Sequence, residues 1–320
     1  MILQFLLLIA GLLLLIKGAD WLVENSSAFA RKKKISDLAI GLTIVAFGTS
    51  APELVVNVVA AYQGHQDIVF ANVIGSNNFN LFFILGIAGL ITPLLVQQTT
   101  VWKEIPISLL AAILLFFLVN NFFTGSEGSL DRWDGFILIF FFLAFLFYVY
   151  KQLKETPSTS LEAVKQVSNG KIFTFIVLGL AGLIIGGRLV VSSAMDIAGT
   201  LGVSEKIIGI TIVAAGTSLP ELATSVIAAF KKNNDIAVGN IIGSNIFNIF
   251  FILGLSSLVR PIAYDSLFNN DLYLLFGGTA LLFLFMFLGG KRKLERWEAG
   301  VLLSVYLIYT SYLVMKEMSL

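Results

Sequence analysis

The chain contains no cysteine. That excludes disulfides, thiol nucleophiles and thiolate-bound metal, and leaves the redox character of its compartment open. It has one histidine, His65, so chemistry that relies on an imidazole has a single candidate. There is no H-E-x-x-H stretch to bind zinc. Charge is scarce as well: Asp, Glu, Lys and Arg make up 13% of the 320 residues, against about 25% in an average soluble domain. The formal net charge of +1 gives no electrostatic basis for a nucleic-acid partner. What fills the chain is apolar. Hydrophobic residues make up 57%, mean hydropathy is +0.90, and many runs reach the roughly 20 residues that a spanning helix needs. The expected class is an all-α polytopic protein, multi-pass in the cell membrane, with the lipid bilayer as its surroundings. The first apolar run has no basic n-region and no A-x-A site and continues too far for a signal peptide, so it is expected to be a retained helix.

Hydropathy and turn residues predict ten helices, over 2–30, 37–62, 67–92, 102–121, 131–153, 171–198, 205–230, 235–259, 270–289 and 294–315. The polar stretch 154–170, which contains Pro157, is the one candidate linker. An internal repeat organises the rest. "GLTIVAFGTSAPEL…DIVFANVIGSNNFNLFFILG" (41–86) realigns without a gap on "GITIVAAGTSLPEL…DIAVGNIIGSNIFNIFFILG" (209–254), 168 residues later. About 30 of the 53 positions in 41–93 are identical, beyond what shared hydrophobicity produces. The expected organisation is therefore a five-helix unit (1–153), a cytoplasmic linker (154–170) and a second five-helix unit (171–320). A unit of five helices begins and ends on opposite sides, so the second copy must be inverted. With both termini outside, inner loops and their flanks hold 15 Lys and Arg, including Arg31–Lys34 and Lys291–Lys293, against 4 outside. This distribution supports N-out, C-out.

The repeated core carries the expected chemistry. Within an apolar run, 41–61 places Thr49, Ser50, Pro52 and Glu53 together. An unpaired carboxylate at mid-depth costs several kcal/mol, or roughly 3 on insertion scales. Pro52 removes a helix hydrogen bond and frees the Gly48 carbonyl; Pro220 does the same to Gly216. Such backbone is tolerated in a membrane only where it is buried in protein or lines a polar cavity. Carbonyls, the hydroxyls of Thr49, Ser50, Thr217 and Ser218, and the carboxylates of Glu53 and Glu221 form an all-oxygen set of the kind that hard cations take. "GSNNFN" (75–80) and "GSNIFN" (243–248) are expected to interrupt two more helices and form the other wall. Ser76, Asn77, Asn80, Ser244, Asn245 and Asn248 supply neutral oxygens there, and Gly75 and Gly243 allow a bend or close packing. A bland reading stands beside this one: intramembrane glutamates and asparagines also bridge helices, though duplication of the whole Pro–Thr–Ser–Glu spacing argues against it. Lys17, Asp20 and Arg188 are expected to snorkel or pair near helix ends, and His65 to lie solvated in a loop.

The paired "GTSAPE"/"GTSLPE" and "GSNNFN"/"GSNIFN" motifs resemble those of the calcium/cation antiporter superfamily, in particular its prokaryotic sodium/calcium exchangers, over essentially all ten helices. The resemblance implies alternating-access exchange of Ca²⁺ for Na⁺, with helices 2, 3, 7 and 8 around the ions and helices 1 and 6 as long sliding elements. By matching position, Glu53 and Glu221 would be the main Ca²⁺ ligands, with Thr49 and Thr217. Ser50, Ser76, Ser218 and Ser244 would serve Na⁺, with the backbone oxygens of Ala46 and Ala214, and Asn80 and Asn248 would lie at the centre. Some relatives, including potassium-dependent exchangers, have an aspartate at one of these asparagines, and proton-coupled ones tend to have a glutamate in the second motif. This chain has neither, which favours Na⁺ over K⁺ or H⁺ and leaves a proton-coupled or potassium-dependent antiporter as the alternative. No cofactor, enzymatic activity or obligate protein partner is implied; the partners are the transported ions. Two other classes remain to be separated. An intramembrane hydrolase using Ser50 or Ser218 lacks a base within reach, because His65 is in a loop. A passive channel would share the ligands but not the exchange.

Overall fold

The computed structural model describes residues 1–120, 128–155, 168–202, 214–289 and 292–318. These form helices α1 (Ile2–Lys33), α2 (Asp37–Thr49), α3 (Ala51–Gln63), α4 (Gln66–Ile91), α5 (Thr100–Val119), α6 (Arg132–Glu155), α7 (Asn169–Thr200), α8 (Leu219–Phe230), α9 (Asn234–Val259), α10 (Ser266–Phe285) and α11 (Arg296–Met318). Among the described residues, 8 helices are long and apolar enough to span a bilayer, and α2 with α3 makes a ninth, bent span. The protein is an all-α, multi-pass membrane protein.

The two longest helices, α1 and α7, have 32 residues each, about 48 Å at 1.5 Å per residue. That exceeds a hydrocarbon core of about 30 Å, so they must tilt or project. Both ends follow from sequence: Lys34 closes α1 in a left-handed conformation (φ 57°), and the Ser168 side chain caps α7 at the Lys171 N–H. They run antiparallel, with Gly11 beside Gly186 and Gly18 beside Gly179. A Cβ on Gly18 would lie 2.7 Å from the Gly179 carbonyl oxygen, so only the missing side chains let the backbones approach this closely. At its midpoint α1 carries Lys17, which pairs with Asp20 at 2.9 Å; Asp20 also pairs with Lys231, just past α8, at 2.5 Å.

The expected helix over 37–62 is broken. α2 and α3 meet at 48°, with Ser50 outside helical geometry (φ −82°, ψ 7°) and Pro52 in the first turn of α3. The ring of Pro52 and its missing donor account for the break. Pro220 occupies the same place in α8, behind the short helical piece Ala214–Gly216. The first part of the helix expected over 205–230 lies outside the described residues. So do 156–167 of the expected linker, but α6 and α7 extend into both of its ends. The helix expected over 270–289 stops at Phe285.

α4 and α9 form the centre: 72% and 94% of their most apolar windows are buried, against 17–39% for the other unbroken spans. Contrary to expectation, the second motif does not interrupt them. Each continues as a wider π-helical turn, over Phe79–Ile84 and Asn248–Leu253, a local geometry frequent at functional sites. Gly243 packs closely, since its Cβ would lie 2.9 Å from Leu42 and Ala46 on α2. Two-residue antiparallel ladders link the halves: β1 (Leu94–Leu95) with β4 (Lys293–Leu294), and β2 (Ser129–Leu130) with β3 (Ile262–Ala263).

Candidate functional site

The break in each Pro-containing helix presents a serine and a glutamate to the other repeat. Ser50, at the α2–α3 break, donates to Glu221 Oε1 of α8 at 2.7 Å, and Ser218, before α8, donates to Glu53 Oε1 of α3 at 3.1 Å. Each serine oxygen also touches a serine of a central helix, Ser50 with Ser244 at 3.0 Å and Ser218 with Ser76 at 2.9 Å. The central helices cross through their asparagines. Asn77 and Asn245 donate to each other's backbone carbonyls at 3.1 and 3.2 Å. Asn80 donates to Asn245 Oδ1 at 3.1 Å, and Asn248 donates to Asn77 Oδ1 at 2.9 Å. Every one of these contacts has a counterpart 168 residues away.

These side chains are almost wholly buried; Asn245 is the most exposed, at 1%. Four of their oxygens have no hydrogen-bond partner among the described residues: Glu53 Oε2, Glu221 Oε2, Asn80 Oδ1 and Asn248 Oδ1. Leaving a buried acceptor unsatisfied costs about 1–3 kcal/mol, and more for a charged group. Here the unsatisfied oxygens form two repeat-related pairs, and the amide nitrogens of both asparagines are already engaged. Carboxylate and amide oxygens are the ligands that Ca²⁺ and Na⁺ take. Among the described residues no group of three or more His, Cys, Asp and Glu is placed to hold a metal.

The model of the family described as "Sodium/calcium exchanger protein" matches residues 3–151 and 171–315. The chain belongs to this family. Among similar family members, sodium/calcium exchanger MaX1 of Methanosarcina acetivorans is 34% identical over 343 residues, covering 96% of this chain and 97% of MaX1. Inner membrane protein YrbG of Escherichia coli is 38% identical over 276 residues, 83% of each chain. The solved sodium-calcium exchanger NCX_Mj, soaked with Na⁺ and Ca²⁺, superposes with a TM-score of 0.82 at 31% identity, covering 97% of this chain and 98% of that one. The family is one of cation antiporters, transporters and not a class of catalysts.

Most of the family-type residues expected from sequence converge: Glu53, Glu221, Ser50, Ser218, Ser76, Ser244, Asn80 and Asn248 form the cluster just described. Thr49 is buried and donates toward Asn240 Oδ1 at 3.1 Å, with the Ala46 carbonyl 3.3 Å away. Ala46 O also accepts the Ser50 N–H at 3.0 Å, so it already serves protein donors. Ala214 begins the short helical piece before the break. Thr217 is partly exposed and lines a cavity of about 580 Å³ between α3, α7 and α8. Arg188, expected near a helix end, instead lines this cavity from well inside α7. His65 is exposed between α3 and α4, as expected of a loop residue.

Sequence reasoning passed over a second layer. Asn72 of α4 and Asn240 of α9 each connect a threonine of the opposite repeat to the Pro-containing helix of their own. A signal for them existed: an asparagine in apolar sequence, repeated 168 residues on and four residues before Ser76 and Ser244, hence on the same helix face.

Proposed function

We propose that the protein is a secondary active antiporter exchanging Ca²⁺ for Na⁺ by alternating access. The observation that carries this reading is the set of four unpartnered buried oxygens, on Glu53, Glu221, Asn80 and Asn248, in two repeat-related pairs. In the proposed site Glu53 and Glu221 bind Ca²⁺ with Thr49 and Thr217. Ser50, Ser76, Ser218 and Ser244, with the carbonyls of Ala46 and Ala214, serve Na⁺, and Asn80 and Asn248 lie between. Two carboxylates balance one Ca²⁺ or two Na⁺. Both central asparagines are neutral, so no third carboxylate is present to support K⁺ coupling.

The proposed architecture is ten spans in two inverted five-helix repeats with both termini outside. Its support is the antiparallel α1–α7 pair. The contact of Gly11 with Gly186 maps onto that of Gly179 with Gly18 when each residue is exchanged for its copy, as a two-fold axis in the membrane plane requires. The experiment is Ca²⁺ uptake into vesicles of the reconstituted protein under separately imposed Na⁺, K⁺ and H⁺ gradients. Uphill uptake driven by an outward Na⁺ gradient without K⁺ is expected. Uptake driven by a pH gradient alone would establish the proton-coupled alternative, a strict K⁺ requirement the potassium-dependent one, and downhill flux without coupling a channel.

A further inference from the structure

The two repeats are matched at both glutamates, but Asn57 of α3 has Ser225 of α8 as its counterpart. Asn57 is fully buried. Its Nδ2 donates to the backbone carbonyl of Glu53 at 2.7 Å. A carbonyl only accepts, so the Asn57 amide can face only one way. Its second N–H donates to Asn72 Oδ1 at 2.6 Å, and this commits Asn72 Nδ2 to donating to Thr217 Oγ1 at 3.1 Å.

The other repeat runs the other way. Asn240, the counterpart of Asn72, donates through Nδ2 to Ser225 Oγ at 2.9 Å and to the Glu221 carbonyl at 3.4 Å. Its Oδ1 is left to accept from Thr49 Oγ1 at 3.1 Å. The two Asn–Thr contacts sit at equivalent positions and have opposite polarity: Thr49 donates to its asparagine, and Thr217 accepts from its own. A hydroxyl that donates away keeps both lone pairs for a cation, whereas one that accepts an N–H has already used one.

We propose that Asn57 is a positioning residue that, through Asn72, makes Thr217 a weaker cation ligand than Thr49, so that the two ends of the ion cluster are unequal although the repeats are nearly identical. This rests on the cluster being the cation site. The stronger ligand is fully buried, and the weaker one lines the 580 Å³ cavity.

The test is the concentration of Na⁺ or Ca²⁺ that half-saturates exchange by the reconstituted full chain. Thr49→Ala is expected to raise it about tenfold or more, in the range seen when groups that orient or complete a metal site are lost, and Thr217→Ala less than about threefold. Asn57→Ser, which copies the second repeat, frees Asn72 to turn and Thr217 to donate. In that background Thr217→Ala should cost as much as Thr49→Ala does in the native chain. Equal costs of the two threonine substitutions in the native chain would overturn the proposal, as would an Asn57→Ser background that leaves the cost of Thr217→Ala unchanged. Should Asn57→Ser fail to fold, Ser225→Asn makes the reciprocal change: it should turn Asn240 and lower the cost of Thr49→Ala, and an unchanged cost would count against the proposal. If neither threonine substitution nor Glu53→Gln alters half-saturation, the cation-site reading itself fails, and this inference fails with it.

Discussion

Glu53 and Glu221 each rely on a serine from the opposite repeat, Ser218 and Ser50, so neither half of the chain holds its own carboxylate in place. Each glutamate keeps one oxygen without a hydrogen-bond partner among the described residues, free to face a cation with the charge the two oxygens share. Glu53→Gln and Glu221→Gln keep the shape and the serine contact but remove the charge. Because the charge of the ligand set is a main determinant of Ca²⁺ affinity, each is expected to reduce Ca²⁺ exchange on the order of a hundredfold while the protein still purifies folded. Vesicle uptake measures this, and near-native exchange in either variant would remove the carboxylates from the site. The sequence displayed these glutamates plainly, because an acid, a proline and two hydroxyls recur at one spacing in apolar runs. It could not display which serine serves which glutamate. That pairing crosses between repeats, and neither periodicity nor spacing records it. The inequality of Thr49 and Thr217 was further from view, since it depends on the direction of an amide two contacts away.

At the scale of the elements, the 48° break between α2 and α3 is what brings Ser50 and the first turn of α3 to the cluster. Pro52→Ala returns a backbone N–H that can bond to the Gly48 carbonyl, and it removes the ring that holds the two helices apart. Proline in the first turn of a helix costs little, so the variant is expected to unfold at close to the native temperature. Its exchange should nevertheless fall, because a straighter helix carries Glu53 away from Ser218. Lower stability together with native exchange would show that the break is not what positions the site. The α1–α7 pair makes a second prediction. A Cβ at Gly18 meets the Gly179 carbonyl oxygen at 2.7 Å, and overpacking of this kind typically costs about 1–3 kcal/mol. Gly18→Val should lower the unfolding temperature and slow exchange. A variant with native stability and rate would mean that the contact is loose enough to yield. Helix positions were legible from hydropathy to within a few residues in most cases. The π-helical turns at Phe79 and Asn248 and the two-residue ladders were not, because the first is a one-residue change in hydrogen bonding and the second is too short for any alternation to appear.

For the whole molecule, the duplication legible at an offset of 168 residues becomes a set of reciprocal contacts: serine to glutamate, asparagine to asparagine, glycine to glycine, and strand pair to strand pair. Reciprocal contacts of this kind let either repeat move against the other, as the proposed opening to alternate sides would need. The charges then decide whether it exchanges or leaks. With Glu53 and Glu221 ionised and no cation between them, two like charges stand in a poorly solvated interior, a state that membrane burial makes costly. One Ca²⁺ or two Na⁺ bound there would neutralise them. The loaded carrier is therefore expected to cross between its two faces far more readily than the unloaded one, with α1 and α7, whose length exceeds the bilayer, as the elements that move. In the proposed exchange Ca²⁺ and Na⁺ would share the same carboxylates, so each should lower the apparent affinity for the other. Protons compete as well: as pH falls, protonation removes the charge that holds the ion, and Ca²⁺ exchange should weaken in a way that added Ca²⁺ reverses. The measurement is efflux of labelled Ca²⁺ from loaded vesicles into medium containing Na⁺, Ca²⁺ or neither. Fast efflux into the first two and slow efflux into the third is expected, with the fast phases slowed at low pH. Efflux equally fast into all three would mean that the unloaded carrier returns freely, and the two buried carboxylates would then not be the barrier that couples one ion to the other.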